Sequence, residues 1–342
     1  MSKTGENNAP VQGESMAAVQ AKKKYPYLVT ATEILAMKEN DIPFLWKPFL
    51  INQGLAALVG SSDVGKSSFL RQLAISIALK KPEFLGHELN VRHGRVIYFT
   101  TEDNQNSINA LLKKQIDKSI NPVDLKGLCY IFNADYPLKV IEEQLQAENT
   151  DLVIIDAYSD LFEGNSNDLA ATRKFLTKYD KLAQDYDCAI IFLHHTGKRT
   201  ELGTPSKNNI IGSQGFEAKM RLVMDLRKQE GNPNRFLQIT KGNYLSESKK
   251  SKAMELIFND KQEFEFTGHH VDKNNFLSKP KFTEDEKAAI MKEAEKMLSN
   301  GLSYDKILIE LQKTGIEKVP AKGTLSNWFN EKKGVHSNKT VE

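Results

Sequence analysis

Cysteine and tryptophan are scarce in this sequence, two of each among 342 residues. Two cysteines cannot staple a domain. Cys129 and Cys188 each begin an apolar run, and neither sits in a metal-type spacing. They read as reduced core residues, which excludes a disulfide scaffold and a cysteine-based zinc module. An excess of charge of one sign is also missing: 47 Lys and Arg face 44 Asp and Glu, a formal net of +3. Overall charge therefore does not point to nucleic acid, and any such contact has to come from local clusters. No apolar run is long enough to span a bilayer, and no secretory h-region is found. The expectation is a soluble cytoplasmic protein without a membrane partner, large enough for one main domain and a smaller one.

What the sequence does have is a phosphate-binding string in the right setting. Gly60-Ser61-Ser62-Asp63-Val64-Gly65-Lys66-Ser67 fits G-x-x-x-x-G-K-[ST], with Ser68 following. The apolar run Leu55–Val59 precedes it and reads as a buried strand. Phe69, Leu70, Leu73, Ala74, Ile77 and Ala78 follow at helical spacing. Gly60 and Gly65 let the backbone curl so that its N–H groups face a phosphate, where a helix N-terminus adds positive potential. Lys66 is then expected at the β- and γ-phosphates and the Ser67 hydroxyl on magnesium. A plain glycine turn is the competing reading, but it requires neither the lysine nor the serine.

Along the chain, residues 1–24 are polar and read as a disordered tail. Thr30 or Thr32 can cap a short helix near Thr32–Met37. Trp46 is placed in the core rather than on a base. Strands are expected at Gly94–Thr101, Leu128–Asn133, Asp151–Asp156 and Ala189–Leu193, with helices at Ser107–Lys118, Val140–Glu148 and Asn167–Tyr186. Such alternation, with several strands wholly apolar, predicts an α/β fold with a mainly parallel sheet covered by helices on both faces. After residue 196 a long polar loop runs to Gly215. Lys219–Lys228 and Arg235–Lys241 read as strands joined across Gly231–Asn234, and Met254–Phe258 and Glu263–Phe266 as further β structure. The expected domains are an ATPase domain at 25–266, a linker at 267–281, a three-helix unit at 282–332 and a disordered tail at 333–342. The helical unit fits a helix-turn-helix, its last helix basic from Lys322, and equally fits a plain helical cap. Ser303 is its candidate cap, and Gly315 its candidate stop.

Three strand ends carry the remaining chemistry. Asp156 closes an apolar strand and is the candidate second magnesium ligand. Glu102 follows the strand after the P-loop helix and can orient and deprotonate a water; capping a helix dipole is its plainer role. His194 and His195 end another strand. Neighbours on a strand point to opposite faces, so one can sense a phosphate while the other packs. In the polar loop, Lys198, Arg199, Lys207, Asn208 and Asn209 suit a phosphodiester backbone.

These pieces resemble the RecA/DnaB-like ATPases, closest to the plasmid RepA-type hexameric replicative helicases. The resemblance spans about Ala31 to Phe258. It is carried by Gly60–Ser67, Glu102-Asp103, Leu152–Asp156, Phe192–Lys198, Gly212-Ser213 before Arg221, and Ile239–Tyr244. It implies a RecA-like subunit in a ring, a hexamer, with ATP and magnesium between neighbours and single-stranded DNA through the centre. It implies Glu102 as catalytic glutamate, Asp156 as magnesium aspartate, and His195, less favourably His194, as the γ-phosphate sensor. Arg221 and Lys241 would be supplied in trans. Residues 282–342 have no counterpart in the plasmid type, and a helix-turn-helix there would suit a protein that finds its own duplex DNA. The expected function is an ATP-dependent DNA motor. The alternatives are a RecA-like DNA-remodelling ATPase without unwinding, and an ATP-switched DNA-binding regulator.

Overall fold

A computed structural model of the protein describes residues 28–37, 41–165, 168–196, 214–229, 232–272, 282, 284–314 and 319–337. The chain divides between Pro43 and Phe44 into two compact units. In the first, Ala31–Leu35 (α1) is a short helix. Thr30 rather than Thr32 caps it, its side chain taking the Glu33 N–H while Glu33 takes the N–H of Thr30. That reciprocal box satisfies two donors the helix leaves open.

The second unit opens with a small hairpin, Phe44–Trp46 (β1) and Leu50–Ile51 (β2). Gly54–Gly60 (β3) then leads into the helix Lys66–Ala78 (α2), and a second hairpin follows, Glu83–Phe84 (β4) with His87–Glu88 (β5). Next come Val96–Thr100 (β6), Gln105–Gln115 (α3), Leu128–Phe132 (β7), Pro137–Ala147 (α4) and Leu152–Asp156 (β8). Tyr158–Leu161 (α5), Leu169–Asp185 (α6), Ala189–His195 (β9), Gln214–Lys219 (α7) and Leu222–Lys228 (β10) continue the chain. Arg235–Gly242 (β11), Glu247–Lys250 (α8), Lys252–Phe258 (β12) and Phe264–Asp272 (β13) complete the sheet.

The nine-stranded sheet has the order β13-β12-β11-β10-β3-β9-β8-β6-β7. From β10 to β7 all neighbours are parallel, and from β10 to β13 all are antiparallel. Alternate residues of the central strands feed two separate cores. Ala56, Leu58, Tyr98, Ile154 and Ile191 pack with Phe69, Leu70, Leu73 and Ile77 of α2 on one face. Leu55, Ala57, Val59, Ile97, Phe99, Ile155 and Phe192 pack with Ile141 and Leu145 of α4 and Leu176 and Tyr179 of α6 on the other. Covering both faces is why these strands read as unbroken apolar runs. Burial of each such Val, Leu, Ile or Phe side chain stabilises by about 1.5–3 kcal/mol. Trp46 is fully buried and donates its indole N–H to the Phe84 carbonyl at 3.0 Å, so it is a core residue.

Several expected boundaries move. Gln214–Lys219, placed in the loop and the start of a strand, is the helix α7, and β10 begins only at Leu222. Its Phe216 is buried on the sheet, an anchor that a glycine-rich approach hides. α4 starts at Pro137, a residue pre-shaped for a first helical turn. β13 runs to Asp272, so residues 267–272 are strand where a linker was expected.

Beyond it, Glu284–Ser299 (α9), Tyr304–Lys313 (α10) and Lys322–Ser337 (α11) surround their own core of Phe282, Ile290, Ala294, Ile307, Leu311, Leu325 and Phe329. Ser303 stands at the N-cap of α10 but makes no capping bond, and Gly315 lies outside the described residues.

Candidate nucleotide site

β3 delivers the chain to Gly60, and the loop returns it as α2. A Cβ on Gly60 would meet the Leu226 carbonyl oxygen of β10 at 2.3 Å, so no other residue fits there. Asp63 and Gly65 adopt left-handed conformations, with φ of 62° and 98°, which turn the loop in on itself. Gly65 is the N-cap of α2 and supplies no side-chain cap. The first-turn N–H groups thus face the loop's hollow as open donors.

Lys66 bridges this hollow. Its Nζ donates to the Ser61 carbonyl at 2.6 Å and lies 3.2 Å from Nδ1 of His195. Burial lowers its pKa to about 8, with Asp156 and Glu102 the leading groups opposing that shift. His195 ends β9, in register with Gly60, and its Nε2 is 3.5 Å from Oε1 of Glu102. A lysine from the start of α2, a histidine from the end of β9 and a glutamate just past β6 therefore stand in one line. His194 points the other way and is buried between Tyr158 and Phe216, with ring centroids 5.0 and 4.9 Å away. The two histidines divide as strand geometry requires.

Asp156 ends β8. Oδ2 accepts the Tyr98 hydroxyl at 2.8 Å, and Oδ1 is buried without a protein partner. Burial raises its pKa to about 6, while Tyr98 and the nearby Ser67 hydroxyl pull it back. A buried carboxylate oxygen left open beside a P-loop serine fits a divalent cation. Ser67 and Asp156 would hold magnesium, and the backbone from Gly60 to Ser68 would hold a triphosphate.

Ser68 is itself tied to a later part of the chain. Its hydroxyl donates to Gln262, and Gln115 bonds both the Ser68 and Gln262 carbonyls. Phe264 lies under Gly65, where a Cβ would meet its ring at 2.9 Å.

Arg221 and Lys241 are elsewhere. Arg221 donates its N–H to the Leu55 carbonyl at 2.7 Å, at the start of β3. The phosphate loop begins five residues later, roughly 16 Å away along a strand. Lys241 pairs with Val223 across β10 and β11 and holds Glu217 at 3.2 Å, beside a polar recess also lined by Thr240 and Asn243. Lys198, Arg199 and Lys207 lie outside the described residues. Lys322 opens α11 and bonds Asp305 at 2.6 Å.

Two site neighbours are absent from the sequence reading. Tyr98 is one. The other is the buried pair Asp225 and Arg227 on β10, Oδ2 to Nε 2.8 Å. Asp225 is in register with Val59, next to the loop, and its charge favours protonated Lys66. Opposite charges two residues apart on one face of an apolar strand were the available signal.

A phosphate loop closing into a helix, with a strand-end aspartate beside its serine on a mostly parallel sheet, defines a P-loop ATPase. A family model described as an AAA domain matches residues 29–201, just over half of the chain, and the chain belongs to that family. A search of curated proteins returns no match. No helix among the described residues is long and apolar enough to cross a membrane.

Proposed function

We propose that this protein is an ATP-dependent DNA motor, a ring-forming replicative helicase of plasmid or mobile-element type, whose ATP sits between neighbouring subunits. The observation that carries this reading is a separation of charge. Lys66, His195 and Glu102 meet at the phosphate loop, whereas Arg221 stands at the opposite end of β3 and Lys241 lies on β11, two strands away and level with the middle of β3. A cation that far from its own loop suits a neighbour's nucleotide. Stacking six such subunits head to tail closes a ring, a heterologous assembly in which each gives and receives.

In this scheme the loop amides and Lys66 bind the phosphates. Glu102 holds the attacking water and takes its proton. Glu102 also contacts His195, which contacts Lys66, so loss of the γ-phosphate is felt along one line of side chains. Magnesium held by Ser67 and Asp156 would supply positive charge to the phosphates. Arg221 and Lys241 would add the neighbour's charge as the phosphoryl group transfers. Single-stranded DNA would be held by Lys198, Arg199 and Lys207.

ATP turnover measured with and without single-stranded DNA tests the motor, alongside unwinding of a tailed duplex and particle imaging of the ATP-bound protein. DNA-stimulated turnover, strand separation and closed rings are expected. Turnover indifferent to DNA would overturn the motor reading, and filaments would redirect it to DNA remodelling.

A further inference from the structure

We propose that the three-helix unit α9–α11 is a duplex-DNA reader, independent of the ATPase, with α11 as the helix that meets the bases. Three observations converge on this. The unit has its own core, so it can present a rigid surface. The first half of α11 is sharply two-sided. Leu325, Trp328 and Phe329 turn inward, while Lys322, Gly323 and Asn327 are exposed and Thr324 and Ser326 half-exposed. No large apolar side chain interrupts the outward side of residues 322–327. Small polar groups with one amide are what a major-groove face requires, since an asparagine can bond adenine N6 and N7 together.

Charge then selects the side. α9 carries five carboxylates against three lysines, whereas α11 carries three lysines against one glutamate. A polyanion is repelled from the first helix and drawn to the last. Side-chain contacts fix the last helix against its neighbours. Lys287 of α9 lies over the Trp328 ring, 5.6 Å from its centroid, and Phe282 packs edge-on against the same ring. Lys322 is tied to Asp305 of α10 by an exposed pair, weak enough to yield to a phosphate. The 314–321 connection is longer than the three- or four-residue turn of the compact helix-turn-helix. The exposed face of α11, not the turn, is what fits a major groove.

The test uses full-length protein without nucleotide and a pool of random-sequence 20-bp duplexes. Bound duplexes are recovered over several rounds and sequenced, and the enriched sequence is titrated against a scrambled one. A shared motif should emerge. Asn327→Ala should weaken binding to it about tenfold, as for one lost base contact, with basal ATP turnover unchanged. Lys322→Ala should weaken both duplexes alike and flatten the salt dependence by about one unit. Lys66→Ala should bind the motif as wild type does. If the pool stays random, if Lys66→Ala abolishes binding, or if both α11 variants bind within twofold of wild type, the proposal fails. A preference for single strands or RNA over duplex would fail it too. These outcomes leave the motor reading untouched, because ATP turnover is read separately.

Discussion

Tyr98 donates its hydroxyl to Oδ2 of Asp156 at 2.8 Å, and both groups are buried. The tyrosine thus orients the carboxylate and favours its charged form. Asp156 has a pKa of about 6 against 3.8 in an open chain, because burial outweighs that hydrogen bond. Magnesium and a proton compete for the same carboxylate, so magnesium-dependent nucleotide binding should fall as pH drops through about 6. Tyr98→Phe should move that acid limb upward by roughly one unit, read by nucleotide titration from pH 5 to 8. With the folded value raised, the metal-free protein holds more protons than the unfolded chain between 3.8 and about 6, so this group's contribution to stability falls as pH rises through that window. An acid limb that stays put in Tyr98→Phe would remove the tyrosine from the site.

Glu102→Gln should separate binding from turnover. The glutamine keeps the shape and loses the base, so ATP affinity should hold while kcat falls about 100-fold or more. Lys66→Ala should lose both, because its ammonium bridges the loop to His195. Single-turnover hydrolysis beside equilibrium binding distinguishes the two. A Glu102→Gln enzyme with normal kcat would leave the glutamate as a helix-end acid only.

Asp225→Asn should act at a distance of one side chain. It takes the Asp225 carboxylate from the buried Arg227 guanidinium and removes a negative charge that favours protonated Lys66. Breaking a buried pair costs about 3–5 kcal/mol, visible as a lower thermal midpoint. The alkaline limb of nucleotide affinity, set near 8 by Lys66, should shift toward neutrality. A stability loss without that shift would make the pair purely structural.

Arg221→Ala should leave each subunit able to bind ATP but unable to turn it over within a uniform assembly. Mixed with Lys66→Ala, which lacks the loop lysine but keeps the arginine, partial turnover should return. Assay of the mixture at several ratios reads this directly. Full activity of Arg221→Ala alone would show that the arginine serves no neighbour's site.

Local sequence encodes some of this site and not the rest. The loop Gly60–Ser67 is contiguous, so spacing alone revealed it. Glu102, Asp156 and His195 were legible because apolar runs mark strands, and parallel strands end on one side. The His194 and His195 division followed from alternation along a strand. Asp225 and Arg227 were missed because their meaning depends on β10 lying beside β3, a strand order that no local pattern encodes. Tyr98 was missed for a related reason: its phenol sits in an apolar strand, and its partner comes from a different strand 58 residues away. The helix α7 is short and polar apart from Phe216, whose packing on the sheet no local pattern encodes.

The hairpin of β12 and β13 has a consequence for how the chain matures. Gln262 and Phe264 buttress Ser68 and Gly65, and Leu226 fixes how near another backbone stands to Gly60. A ribosome therefore makes the phosphate loop early, but its seat is finished only when the chain as far as β13 has emerged. Fragments ending near residue 201, where the family match stops, should emerge as nucleotide-blind intermediates in need of chaperoning rather than as small working ATPases.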